Sequence, residues 1–313
     1  MAQYLLQPAG AGAGGVHCGG LRRAGAASDR TAGQPDAQPT RCARQRARAG
    51  SRACRSLVPE HLRRCLGRGV IKPALCLLLT ALLSHAAWGA QWGRAQPAVE
   101  RWLDGQAPQA QGLTLQLAEW VEDGAFVPLS LTLHGAEPPV AISVLRSGEH
   151  DPRIALISAW LWQPPLQLAT RVRLPSSQQV IVLARDGRGR VWLAAQSVAV
   201  LASSCLAPSL GDPWAGLGQL QAQADGEDVL AVRSMLRHPM ETGRRQTADG
   251  QRLPRRLAAR FEIDGAQGRV LGIELFAGLA ANPYWWLRLP RHSAPLLLRW
   301  QDADGALYQK RLP

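Results

Sequence analysis

The sequence holds six cysteines, but only one of them, Cys205, lies beyond residue 90. It has no His-Glu-x-x-His, no Cys-x-x-Cys-His haem attachment sequence, no Cys-x-x-Cys pair and no glycine-rich phosphate loop, and its seven histidines are scattered. Zinc, haem, dithiol and nucleotide chemistry each need ligands or donors at fixed spacing. None is expected here, and neither is a cofactor. Long apolar runs are also missing. The run at residues 74–83 is about half of the roughly 20 residues that a membrane-spanning helix needs.

A basic surplus is present but unevenly placed. Residues 1–90 contain 13 Lys and Arg against 3 Asp and Glu, whereas residues 91–313 contain 23 against 20. A strongly basic chain suggests nucleic acid or an anionic membrane as partner. Here the charge belongs to the N-terminal segment, so neither partner is expected for the rest.

Residues 1–69 are rich in Ala, Gly, Arg and Pro, with no apolar period of 2 or 3.6. Such a segment cannot bury enough surface to offset chain entropy, and it is read as disordered or as a misassigned extension. Its cysteines Cys18, Cys42, Cys54 and Cys65 lack metal-site spacing, and its arginines lack aromatic partners. At residues 70–90 the character changes to that of a secretory signal peptide, with a charge at Lys72, the apolar run that includes Cys76, and small residues at Ala87-Trp88-Gly89. A start near Val70 would use a non-AUG codon, because the methionines are Met1, Met235 and Met240. Export implies an oxidising compartment. A lone cysteine there is either a buried filler or a working thiol.

After an N-terminal segment at 91–111, strand patterning begins. Val127, Leu129, Leu131 and Leu133 alternate with other residues, as one buried strand face requires. Residues 154–162, 166–174, 180–183, 191–195 and 197–201 continue the series, with Asp186-Gly187 at a hairpin turn. A second series occupies 229–236, 257–263, 270–276, 284–289, 296–300 and 307–311, with turns at Asp249-Gly250, Asp264-Gly265 and Asp304-Gly305. The expected fold is all-β, two immunoglobulin-like β-sandwich domains in tandem at 112–202 and 219–313. Pro208, Gly211, Pro213, Gly216 and Gly218 mark 203–218 as a linker, expected to be exposed. It carries Cys205 at its start, where solvent and other proteins would reach the thiol.

Three other features compete for attention. His238-Pro239-Met240-Glu241 offers three ligand types in four residues, but without a second His or Cys at suitable spacing it reads as structural. Arg244, Arg245, Arg252, Arg255, Arg256 and Arg260 form a basic stretch that reads as a solvated face, or as an attractor of anionic cargo or an acidic partner. One of Trp285 and Trp286 must face the core, leaving the other as a contact residue. A stand-alone thiol enzyme would need a base beside Cys205, and none is near it in sequence.

The residues resemble a known pair of families. His238-Pro239-Met240-Glu241-Thr242-Gly243, Ala248-Asp249-Gly250, Leu253-Pro254-Arg255, Arg260-Phe261-Glu262 and Ala281-Asn282-Pro283-Tyr284 closely resemble SoxZ over 228–313. Glu122-Asp123-Gly124, Val127-Pro128, Thr170-Arg171-Val172-Arg173-Leu174 and the final strand into Cys205 resemble SoxY over about 112–208. The resemblance implies a periplasmic carrier, not an enzyme, with Cys205 as the covalent sulfur attachment point and no catalytic, cofactor or metal residues of its own. It implies sulfur-oxidation enzymes as partners and a SoxY-like domain paired with a SoxZ-like one. Fused SoxYZ-like proteins are also associated with quinoprotein alcohol dehydrogenase systems, which gives the alternative of an accessory module for such a dehydrogenase and its cytochrome. The family's cysteine sits in a terminal Gly-Gly-Cys-Gly arm, whereas here Ser203-Ser204 precede Cys205, Leu206 follows it, and the cysteine is internal.

Overall fold

The computed structural model describes residues 91–207 and 211–313. The expected signal peptide, the extension before it and the cysteines before residue 90 lie outside the described residues. A short amphipathic helix, α1 (Gln96–Leu103), comes first. Eight strands follow: β1 (Leu113–Gln116), β2 (Trp120–Asp123), β3 (Val127–Leu133), β4 (Val140–Arg146), β5 (Arg153–Ala159), β6 (Leu166–Val172), β7 (Gln178–Arg185) and β8 (Val191–Ala202). The second half contributes β9 (Leu220–Asp225), β10 (Val229–Leu236), β11 (Ala258–Gly265), β12 (Gly268–Leu275), β13 (Tyr284–Pro290), β14 (Leu296–Asp302) and β15 (Leu307–Leu312). The all-β reading holds.

The two halves share their sheets. One sheet has six strands in the order β1-β3-β6-β13-β10-β9, and the other has nine in the order β15-β14-β11-β12-β5-β4-β7-β8-β2. Each sheet crosses from one half to the other at an antiparallel seam. In the first, Trp285, Trp286 and Leu287 of β13 face Thr170, Ala169 and Leu168 of β6. In the second, residues 271–275 of β12 face residues 155–159 of β5. Each half therefore pairs two strand edges that would otherwise present unsatisfied N–H and C=O groups.

The interior is correspondingly continuous: Leu129, Ile142, Ile157 and Leu168 from the first half belong to the same buried cluster as Val232, Phe261, Leu287 and Trp300 from the second. Phe261 and Trp300 stack with ring centroids 4.4 Å apart. The Trp300 indole N–H donates to Ser234 Oγ at 2.8 Å, tying β14 of one sheet to β10 of the other. Trp285 is the member of its pair that enters the core, and Trp286 is half-buried.

Strand expectations need correction in two ways: one strand is longer than expected, and β1, β2, β4 and β9 are missing from the expected series. Residues 191–195 and 197–201 belong to one 12-residue strand, β8. The polar Gln196 does not interrupt it, because its side-chain amide accepts from Leu117 N at 3.3 Å and donates to Leu117 O at 2.6 Å. Of the missing strands, β4 is absent from the alternating series because its residues from Ile142 to Arg146 are all buried. Helix α1 covers the outer face of its sheet, packing Val99 and Leu103 with Trp92 and Ala95 against Leu145, Ile181, Leu183 and Val191. A strand covered on both faces reads as a continuous apolar run. The Asp186-Gly187 turn is as expected: the Asp186 carboxylate accepts from Arg188 N and Arg190 N at 3.1 and 2.9 Å and closes the β7–β8 hairpin.

Candidate functional site

Strand β8 delivers the chain directly to Cys205. Past Ala202 the backbone stays extended at Ser203 and then forms a 3-10 turn, Ser204–Leu206, with the Ser203 hydroxyl accepting from Cys205 N at 3.4 Å. Asp123, at the end of β2, holds this turn in place. Its carboxylate accepts from Ser204 N at 2.9 Å, from the Ser204 hydroxyl, and from Ala125 N at 2.9 Å. Partial burial alone would raise the Asp123 pKa, but these donors more than offset it and hold it below the ordinary carboxylate value. The two serines that stand where the family has glycines are thus the groups that fasten the segment.

Gly124 brings β2 this close. Its N–H donates to Ala202 O at 3.2 Å and its C=O accepts from Leu174 N at 2.8 Å. A Cβ at this position would lie 1.9 Å from Leu174 O, so only glycine fits between the two strands.

Cys205 is buried, with 6% of its surface exposed, and is the free cysteine of the described residues. The exposed position expected from linker composition is therefore corrected. The thiol lines a cavity of about 270 Å3, which Asp212, Pro213, Ala215 and Leu217 of the linker line as well. Asp212 Oδ1 accepts from Trp214 N at 2.9 Å, Leu217 N donates to Trp214 O at 2.9 Å, and Gly218 N donates to Arg237 O at 2.9 Å. Residues 212–218 thus form tight turns, because Gly218 N–H finds the carbonyl of Arg237 just past β10 and Gly216 O accepts from Gln219 N.

The opposite wall comes from the second half, through Arg237, His238, Arg245 and Asn282. His238 is buried and both ring nitrogens are engaged: Nδ1 accepts from Met240 N at 3.0 Å, and Nε2 lies 3.3 Å from Asp302 Oδ2, to which it donates. Burial lowers the His238 pKa despite the opposing pull of Asp302, so the ring is neutral. Asp302 is in turn held ionised by the Arg256 guanidinium at 2.9 Å and the Asp304 N–H, which outweigh its burial. A histidine with both nitrogens committed is not free to take the proton of the thiol. The Met240 sulfur accepts from Ala258 N at 3.4 Å, and buried Glu241 accepts from Thr242 N at 2.9 Å and Arg245 Nε at 2.7 Å. The structural role expected for His238-Pro239-Met240-Glu241 is what these bonds describe.

The basic stretch separates into different uses. Arg244 pairs with Glu149 at 3.3 Å, Arg256 with Asp302, and Arg245 alone of the six lines the cavity. Arg252, Arg255 and Arg260 are exposed.

Two arginines were missed as site residues. Arg173, just past β6, lines the cavity and donates through Nη1 to Met240 O at 3.1 Å. Arg146, at the end of β4, lies behind it and donates to Arg173 O at 2.9 Å. Burial pulls both guanidinia below the ordinary arginine value, with the field of Glu149 opposing at Arg146 and those of the Cys205 and Glu241 side chains opposing at Arg173. For Arg146, a cation ending an otherwise nearly apolar strand is the sequence signal that marks it.

Comparison with known proteins agrees with this division of the chain. The family described as Sulfur oxidation protein SoxY matches residues 100–205, ending at Cys205, and the family described as Sulphur oxidation protein SoxZ matches residues 219–313. The chain carries a SoxY-family domain and a SoxZ-family domain in tandem, a fused SoxYZ-like arrangement. The cavity thus lies where the end of its SoxY domain meets its SoxZ domain. A solved structure of the sulfur carrier protein SoxY from Chlorobium limicola f thiosulfatophilum aligns at 20% identity with a TM-score of 0.29, covering 34% of this chain and 96% of that one. No curated relative matches the chain.

Proposed function

We propose that the protein is a periplasmic sulfur carrier that holds sulfur intermediates covalently on Cys205 and presents them to sulfur-oxidation enzymes, without catalysing a reaction itself. The observation that carries this reading is the placement of Cys205: the last residue of the SoxY match lies in a cavity that residues of both the SoxY and the SoxZ domains and of the connecting turn line together. A sulfur atom bound to a cysteine is open to attack by any passing thiol or reductant. A cavity of this size shelters a short sulfur chain between encounters. Delivery then requires the 3-10 turn to leave Asp123, and segment 203–218, about 15 residues long, can extend roughly 50 Å when released. Export is supported by the charge at Lys72, the apolar run and the small residues at Ala87 and Gly89. N-terminal sequencing of the exported protein is expected to start after residue 89, and a sequence from before Val70 would contradict it.

The burial and tethering of Cys205 favour a second reading, an accessory module of a periplasmic quinoprotein dehydrogenase and its cytochrome. Replacing Cys205 by alanine in the producing cells separates the two. Loss of thiosulfate-dependent oxygen uptake is the outcome for a carrier. Unchanged uptake together with impaired alcohol oxidation is the outcome for the accessory module.

A further inference from the structure

Buried cations usually come with a carboxylate partner, because an uncompensated charge in the interior costs several kcal/mol. Arg146, which is buried, and Arg173, which is half-buried, break that rule. Arg146 is 4% exposed and its Nε has no hydrogen-bond partner. Among the described residues neither guanidinium has a carboxylate within ion-pair distance. The acidic groups whose field reaches them are engaged elsewhere: Glu149 by Arg244 at 3.3 Å, Asp151 by Arg153 at 2.8 Å and Glu241 by Arg245 at 2.7 Å. Both arginines lie within electrostatic reach of Cys205. The cavity wall adds Arg237 and Asp212, and Arg245, which is already paired with Glu241. Among the described residues no carboxylate pairs with Arg146 or Arg173, and a group bound to the thiol is where the balancing charge can be supplied.

We propose that the cavity is an oxyanion subsite in which Arg173, backed by Arg146, receives the sulfonate end of a group bound to the Cys205 sulfur. This rests on the carrier reading and adds to it a preference: the shelter fits an anionic sulfonate-terminated cargo and not a neutral one. Arg173 has guanidinium N–H groups left beyond the one given to Met240, and a planar fork of donors suits a tetrahedral oxyanion. Arg146 acts through Arg173, by fixing its backbone carbonyl and adding positive charge behind it, and is a positioning residue.

Loading chemistry performed in vitro tests this without any partner enzyme. The Cys205 thiolate attacks an inner sulfur of tetrathionate, the central S–S bond breaks, thiosulfate leaves with the electron pair, and Cys205 keeps the S–SO3− group. The same thiol reacts with a neutral disulfide, 4,4′-dithiodipyridine, which has no charge for the arginines to recognise. In Arg173→Gln the rate with tetrathionate is expected to fall by about tenfold, the size of one lost charge-assisted hydrogen bond, while the rate with the neutral probe is unchanged. Arg173→Lys keeps the charge and restores most of the tetrathionate rate. An equal fall with both probes, or no fall with tetrathionate, would overturn the proposal. Arg146→Gln, with circular dichroism to confirm folding, is expected to reduce the same selectivity. If the carrier reading fails in cells but the charge discrimination persists in vitro, the subsite stands and only its cargo is wrong.

Discussion

Asp123 is the residue on which the resting state of the site depends. It binds the Ser204 N–H and hydroxyl from the outside of the turn that buries Cys205. Asp123→Ala removes both bonds, and the turn should open more often, raising the rate of Cys205 alkylation by a neutral reagent by roughly tenfold with little change in global stability. Alkylation at the wild-type rate would show that the turn is held by something else. His238 supplies a pH prediction. Its folded pKa lies below the ordinary 6.5, so the unfolded chain takes up a proton that the folded one refuses. The stability this contributes is present above 6.5 and is lost as pH falls below it. Urea unfolding at about pH 7.5 and about pH 5.5 should show a loss that is smaller in His238→Gln; an equal loss in both would assign the effect to other groups. Cys205 was singled out by its position in the sequence, which left a buried filler and a working thiol both open. Its burial was not legible, because composition distinguishes turn-rich from regular backbone but does not tell whether the turns close over a cavity.

At the level of elements, Gly124 couples β2 to the site. The Cβ of Gly124→Ala would collide with the backbone of Leu174, forcing β2 from β8 and loosening Asp123 with it. Stability is expected to fall by about 1–3 kcal/mol, together with faster alkylation of Cys205, both measurable on one purified variant. An unchanged melting temperature would contradict the close approach. In the second half, Trp300→Phe leaves Ser234 buried without its partner and should cost about 1–3 kcal/mol. The strands with one dry and one wet face, such as β3 with its alternating burial, were plain in the sequence. Strand β4 was not, because α1 hides its outer face, and a sequence pattern records how much of a strand is covered without saying by what.

At the scale of the whole molecule, the two domains hold each other's strand edges. Alternation identifies which side of a strand faces a core, but edge pairing leaves no comparable mark, so a tandem of sandwiches was readable whereas the shared sheets were not. Because the β5–β12 and β6–β13 seams run through a common interior, denaturant should unfold both domains in one transition, followed identically by tryptophan fluorescence and circular dichroism. Two separated transitions would mean that the seams contribute little. The same arrangement sets the SoxZ domain as a fixed wall opposite the cysteine, while the turn that bears Cys205 is the part that has to move.

The most direct measurement is the intact mass of protein taken from the periplasm of cells oxidising thiosulfate, with and without reductant, beside Cys205→Ala. The carrier account predicts added mass equal to sulfur or thiosulfonate groups, removed by reductant and absent from the variant. A protein of unmodified mass, with a thiol that resists alkylation, would contradict it.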